Sequence, residues 1–445
     1  MELDLWLDGK HVATVVERRS GRLALTYSED TVRSWGLEVP LISCSLPTPG
    51  PTEPAKTRAY LEGLLPEGEL LRTMAGRVGA RLLDDAPASL SDLELLLVQY
   101  GWECAGAIMV LQHGASPPTR ARYQRVTEGE LRSLITNLPT APLGSDPDLG
   151  LRMSIGGTQP KLLLAQVEGQ WARPLSGAPS THILKPEMSW PFSSHNEALV
   201  MSLAAELGLS SVAPTVEQIG GIPVLVTRRY DRPMLNAQVI RLHQEDVGQA
   251  LGIRPVEKYS SGRITERTVG LLRNYSLNLE EDLEVLFRQT VFRSIVGDAD
   301  NHPKNTSLFL CDRGVRVAPL YDAICTLAYR GLSPRMAVAI DAQWSLGKVD
   351  EIALVHHGTD MGLSDSRSRE LVAEMESGLF DAISNLPAAL LAPWPGEELV
   401  RLISERLARL RAGLAMGMPT QPIHWPSLAD RGIVFDSVGG AGAGT

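Results

Sequence analysis

The stretch Gly297-Asp298-Ala299-Asp300-Asn301-His302-Pro303-Lys304-Asn305 decides how the chain is read. It leaves a helical pattern, Glu281 to Val296, whose apolar Leu283, Leu286, Phe287, Val291, Ile295 and Val296 recur at helical spacing. It enters a strand-like run, Thr306-Ser307-Leu308-Phe309-Leu310. Within it, four residues separate Asp300 from Asn305. A carboxylate and an amide on one short loop join a proton acceptor to a neutral oxygen ligand suited to Mg²⁺. Asp and Asn are also ordinary turn residues, so the surrounding chain decides what the spacing means.

Downstream, Ser307 to Cys311, the turn Asp312-Arg313-Gly314 and Val315 to Ala318 form a hairpin pattern. The hairpin returns the chain to Asp322, beside Asn305. An Asp, an Asn five residues on and a second Asp reproduce the spacing of a phosphoryl-transfer site, with Asp300 as base and Asn305 and Asp322 as Mg²⁺ ligands. Asp298 is a rival base but lies at the wrong distance from Asn305. No Phe-Gly follows Asp322; the chain continues Ala323-Ile324.

Upstream, Ser154-Ile155-Gly156-Gly157-Thr158-Gln159-Pro160-Lys161 is a small-residue loop entering a strand. Gly156 and Gly157 let backbone N–H groups approach phosphate oxygens. The loop lacks the Gly-Lys-Ser/Thr ending of a Walker A motif. Lys185 ends the short strand Thr181 to Lys185 and precedes Pro186. A lysine so placed is the usual partner of α/β-phosphates, and Glu197 in the next helix is its candidate ion-pair partner. Arg241 to Gly248 lies where two lobes join, with its backbone placed to meet an adenine edge and Asp246 near a helix start.

The chain order predicts an α+β fold. Residues 3–7, the turn Asp8-Gly9, Val12 to Val16 and Leu23 to Tyr27 read as a small antiparallel sheet. Leu61, Leu64, Leu65, Leu70, Leu71 and Met74 continue as helical stripes, and Ser91 with Glu94 reads as a capping box. Residues 1–145 form an N-terminal subdomain and 146–245 a small lobe of strands with one helix, Asn196 to Gly208. Residues 246–432 form a mostly helical lobe, including stretches 368–386 and 397–416, and 433–445 read as a disordered tail. A nucleotide belongs in the cleft between the lobes.

The chain has 445 residues, 44% of them hydrophobic, enough for a sizeable core. A net charge of −10 argues against an extensive direct grip on nucleic acid. Cys44, Cys104, Cys311 and Cys325 form no Cys-x-x-Cys pair and no zinc-ligand spacing, and read as reduced thiols. The first residues carry no signal-peptide pattern and no run of about 18 apolar residues occurs, so a cytoplasmic protein without a membrane partner is expected.

These residues together resemble HipA-like serine/threonine-protein kinases, the toxins of bacterial type II toxin–antitoxin pairs. The resemblance is carried by Ser154 to Lys161, His182-Ile183-Leu184-Lys185-Pro186, Asn196-Glu197, Arg229-Tyr230-Asp231-Arg232, His243-Gln244-Glu245-Asp246, Gly297 to Asn305 and Tyr321-Asp322, in that order. Leu5-Trp6-Leu7-Asp8-Gly9 and Leu61 to Pro66 are similar to the family's N-terminal subdomain. The resemblance implies a two-lobed, kinase-like fold that uses ATP and Mg²⁺. It implies Asp300 as base and Asn305 and Asp322 as metal ligands. It implies nucleotide contacts from Gly156, Gly157, Thr158, Gln159, Lys161, Lys185, Glu245, Asp246, Val247, His302, Lys304, Asn305, Tyr321 and Asp322. Ser154 matches the family's autophosphorylated serine, whose phosphate repels those of ATP. The implied partners are a protein substrate, such as an aminoacyl-tRNA synthetase, and a HipB-like helix-turn-helix antitoxin through which DNA is reached indirectly. Thr158 and Asp298 depart from the small and neutral residues more usual at their places, yet remove no required group. The competing readings are a co-repressor acting chiefly through its antitoxin, and a small-molecule kinase.

Overall fold

The computed structural model describes residues 1–187, 190–236, 238–260, 262–420, 423 and 425–426. The tail expected to be disordered lies outside these residues.

Asp8 and Gly9 both adopt positive φ, 49° and 74°, and turn Glu2–Leu7 onto Lys10–Glu17 with Leu7 opposite Lys10. Such a turn matches the right-handed twist of the strands it joins. Leu23–Tyr27 pairs on the far side of the second strand, and Ile108–Gln112 pairs beside Glu2–Leu7. Leu3, Leu5, Val15 and Leu25 are fully buried with Tyr60 and Tyr100, which come from the helices Pro54–Gly63 and Leu90–Tyr100. Each such side chain contributes about 1.5–3 kcal/mol on burial. The expected capping box does not form, and the N-cap is Ser89, two residues before Ser91. Ser89, in extended backbone, accepts from Asp92 N at 3.1 Å, while Glu94 reaches the first strand and accepts from Glu2 N at 2.8 Å.

The small lobe is a six-stranded antiparallel sheet in the order Thr215–Ile219, Ile222–Arg228, His182–Pro186, Leu162–Val167, Gln170–Leu175, Arg122–Arg125. The last strand lies before residue 145, and the helix Glu128–Thr136 packs Leu131 and Ile135 on the same sheet. The chain therefore enters the small-lobe sheet earlier than its Pro- and Gly-rich stretch suggests. Lys185 stands on a central strand, beneath the helix Ser193–Glu206.

The third body gathers the helices Ile264–Tyr275, Leu279–Val296, Glu351–Met361, Asp365–Ser384 and Gly396–Arg411 around Phe287 and Phe292, both fully buried. The helix Leu279–Val296 stops at Gly297, whose φ of 83° lets its N–H reach Arg293 O at 3.1 Å. That left-handed stop aims the chain into the loop Asp298–Asn305. The helix Glu351–Met361 and the hairpin Arg335–Ile340/Gln343–Ser345 were not anticipated.

The N-terminal body is joined to the small lobe by a buried charge cluster. Glu103, fully buried, accepts from Arg229 and Arg232 at 3.1 Å each and from Arg241 at 2.7 Å. Arg229 and Arg232 share Asp231 at 2.7 and 2.8 Å. Burial alone would raise the Glu103 carboxyl, but Arg232, Arg241 and Arg229 bring it down to about 2. Removing one partner of such a cluster strands buried charge, which costs more than the pair contributes. Chemical denaturation of Glu103→Ala is expected to show a loss of about 3–5 kcal/mol; an unchanged stability would contradict this account of the joint.

Candidate active site

The loop 298–305 closes on itself. Asn305 Nδ2 donates to Asp300 O at 2.8 Å, as does His302 N. This bond gives the spacing of Asp300 and Asn305 its physical reason, and it turns the Asn305 side-chain oxygen away from the loop's own carbonyl. Asp300 N donates to Asp298 Oδ1 at 3.0 Å, so Asp298 supports Asp300 from below. Asp298 is 2% exposed and pairs with Arg293. Burial pushes its carboxyl up to about 6 although Arg293 opposes the shift. The charge that departs from the family pattern is thus met by a buried guanidinium.

Arg293, which sequence reasoning missed, also donates to Asn305 O at 3.1 Å and Tyr321 O at 2.7 Å, with Asp322 O at 3.5 Å. One side chain therefore fixes both ends of the segment that carries Asn305 and Asp322. Nothing in the sequence singles out this arginine on an otherwise amphipathic helix. The strands Ser307–Cys311 and Gly314–Val317 form the expected hairpin between them. Asp322 adopts φ 54°, in the left-handed region that aspartate enters more readily than most side chains. Asn196 clamps the following segment, accepting from Cys325 N at 3.0 Å and donating to Cys325 O at 3.1 Å.

Lys185 pairs with Glu197 at 2.7 Å and, more closely, with Asp322. Burial works against the Lys185 ammonium, but Asp322 and Glu197 outweigh it and push its pKa up. Enclosure likewise opposes charge on Asp322, yet Lys185 and then Lys161 hold its carboxyl well below the usual range. Burial and the neighbouring Lys185 bring Lys161 down to about 8, and its Nζ donates to Gly156 O at 2.9 Å. Gly157 has φ 106°, and a Cβ there would lie 2.6 Å from Lys161 Nζ, so glycine is required. Ser154 is fully buried; its hydroxyl donates to Leu64 O at 2.6 Å.

Lys185, Glu197, Asp322, Lys161 and Gly157 face one cleft of about 300 Å³ between the small lobe and the helical body. Asp300 and all the expected nucleotide-contacting residues but one line it. The exception is Val247, which is 2% exposed, lines a separate cavity of about 60 Å³ and commits its N–H to Thr306 O at 2.9 Å. The Tyr321 hydroxyl donates to Lys304 O at 2.7 Å. The Lys304 ammonium is held by Asp246 at 2.7 Å and lies 4.0 Å from Glu67, an N-terminal residue absent from the sequence-based set. His302 is kept neutral by burial and by the Lys258 charge, and its Nδ1 meets no partner among the described residues. No group of three or more His, Cys, Asp or Glu side chains gathers as a resident metal site among the described residues. The two-oxygen set of Asn305 and Asp322 suits a cation that arrives with phosphate and keeps its waters.

Residues 153–383 match the family model described as the HipA-like C-terminal domain, and residues 3–111 that described as the HipA N-terminal domain. The chain belongs to the HipA-like kinase family. Y4mE of Sinorhizobium fredii, named as a candidate kinase, is 32% identical over 396 residues, covering 86% of this chain and 91% of that protein. The serine/threonine-protein kinase toxin HipA of Shewanella oneidensis is 26% identical over 352 residues, covering 76% and 79%. The solved HipA of Shewanella oneidensis, in a complex with HipB and operator DNA, shares the fold. Its TM-score is 0.74 at 23% identity, over 92% of this chain and 99% of that one.

Glu245, of the HipA-like motif His243–Asp246, is 1% exposed and accepts from Cys44 N at 2.7 Å. Its Oε2 has no partner among the described residues. Burial pushes its carboxyl up to about 8, against hydrogen bonds from Ser43 and Cys44. The folded state therefore holds a proton that the unfolded chain releases near 4.5. Its contribution is complete below about pH 4.5 and is lost as pH rises through about 8. Glu245→Gln cannot lose that proton. Denaturation series are expected to show the variant gaining a few kcal/mol on the wild type between pH 5 and 8.5; a constant difference would contradict the assignment.

Proposed function

We propose that this chain is an ATP- and Mg²⁺-dependent serine/threonine-protein kinase that acts as a toxin. The observation that carries the reading is a single cleft in which Asp300, on a loop closed by Asn305, faces the Lys185–Asp322 pair. Asp300 accepts the proton of the acceptor hydroxyl, and Asn305 and Asp322 hold the metal. Lys185 and Lys161, with the backbone of Gly156, Gly157, Thr158 and Gln159, receive phosphate oxygens. His302 and Lys304 stand on the nucleotide side, and Glu245 and Asp246 on the adenine side.

The substrate is a translation component such as an aminoacyl-tRNA synthetase, a reading supported by family resemblance alone. Ser154 serves as the autophosphorylation site. Its hydroxyl is sealed against Leu64 O, so modification requires the loop to leave that seat. A phosphate there could not return, because the pocket has no room and the nucleotide phosphates would repel it. A helix-turn-helix antitoxin is the partner, and DNA is reached through it. The net charge of −10 and the related HipA–HipB–operator complex support that arrangement. The proposed site of action is the cytoplasm. Among the described residues no helix is long and apolar enough to cross a membrane.

With γ-labelled ATP and a soluble cell extract, the wild type is expected to label proteins on Ser or Thr and itself on Ser154. Asp300→Asn should reduce transfer by at least about 10²-fold while keeping nucleotide affinity. Asp322→Ala should remove the Mg²⁺-dependent part of that affinity. Transfer by Asp300→Asn at the wild-type rate, or label confined to sugar or lipid, would overturn the reading.

A further inference from the structure

Tyr259 belongs to none of the motifs above. It follows the short helical turn Pro255–Glu257 and is 61% exposed. An exposed phenol ordinarily turns to water. Tyr259 instead donates its hydroxyl to Asp300 Oδ1 at 2.8 Å. Its ring stands edge-on to His302, with centroids 5.3 Å apart at 70°. The Lys258 ammonium lies 5.2 Å from the ring centroid and pairs with Glu67 at 2.9 Å. Glu67 in turn donates its backbone N–H to Gly157 O at 3.1 Å. A continuous set of contacts thus runs from the glycine loop, through the N-terminal body, to one oxygen of Asp300.

We infer that Tyr259 is a positioning residue for Asp300, held in place by Glu67 through Lys258. The inference rests on Asp300 being the base. The last torsion of an aspartate is broad, so an exposed carboxylate such as that of Asp300 would otherwise sample many orientations. A hydrogen bond to Oδ1 fixes the carboxylate plane and leaves Oδ2 for the acceptor hydroxyl, the pre-orientation that transfer in a near-attack geometry requires. Partial desolvation of the hydroxyl against the cleft and the Asp300 charge push the Tyr259 phenol up, so it stays a donor and does not compete as a base. The opposite arrangement, in which Tyr259 occupies the acceptor's place and blocks it, predicts the opposite sign on removal.

The test measures the initial rate of label transfer from saturating γ-labelled ATP to extract proteins, together with KM for ATP. Tyr259→Phe is expected to lower the rate about tenfold with KM for ATP within about twofold of wild type. Glu67→Gln is expected to lower the rate in the wild-type background and to add nothing in the Tyr259→Phe background, because it acts through the phenol. An unchanged or higher rate in Tyr259→Phe overturns the inference, as does a full additional loss from Glu67→Gln in that background. Asp300→Asn is run alongside. Should it keep the wild-type rate, the base assignment itself fails and the inference falls with it, whereas loss in Asp300→Asn with no loss in Tyr259→Phe overturns the inference alone.

Discussion

A buried arginine sets the geometry on which the cleft depends. Arg293 is 2% exposed, and its guanidinium must be met by polar groups inside the protein or the charge would not be tolerated there. Asp298 neutralises it, and the carbonyls of Asn305 and Tyr321 accept hydrogen bonds from its Nη2. Its own carbonyl accepts from Gly297 and Asp298 N–H, at 3.1 and 2.9 Å. The end of a helix, the loop that follows and the far end of a hairpin are therefore tied to one residue. Neither Asn305 nor Asp322 could drift from the other without unpairing that charge.

Two further cations of the site are balanced in the same manner, whereas the Lys161 ammonium donates to the Gly156 carbonyl. Lys185 rests between Glu197 and Asp322, and Lys304 between Asp246 and the more distant Glu67. Each lysine is paired with a carboxylate that a bound nucleotide and metal would engage differently. Phosphate oxygens compete for the lysines, and a divalent cation competes for Asp322. The left-handed backbone at Asp322 is a further constraint, held by Arg293 on one side and by the Asn196 clamp on Cys325 on the other. The N-terminal body is part of the same system. It covers Ser154 with Leu64, contributes Glu67 to the cleft rim and is bound to the small lobe through Glu103.

The two periodicities of the chain were enough to read many of its strands and helices, though not the helix Glu351–Met361 or the hairpin before it, and the sheet formed by residues 3–7, 12–16 and 23–27 follows from alternation and the Asp8-Gly9 turn alone. The catalytic-loop spacing was legible because a local hydrogen bond, Asn305 to Asp300, demands it. What escaped was non-local. Ile108–Gln112 beside Glu2–Leu7 and Arg122–Arg125 beside Gln170–Leu175 are pairings made by tertiary packing across long loops. The contributions of Arg293, Glu67 and Tyr259 likewise come from side chains that meet residues distant in the chain. Val247 does not line the cleft as its neighbours Glu245 and Asp246 do, because a capped helix starting at Val247 turns its own N–H toward Thr306. The capping box expected at Ser91 is absent because Glu94 accepts from Glu2 N on the first strand and Ser89 serves as the N-cap.

The account stands or falls on where a nucleotide and its metal bind. A crystal structure of the full chain with a non-hydrolysable ATP analogue and Mg²⁺ tests it most directly. The expected result has the phosphates between residues 156–161 and Lys185, and the metal between the Asn305 side-chain oxygen and Asp322, with Asp322 released from Lys185. Nucleotide bound outside this cleft, or a metal held by residues other than these two, would contradict it.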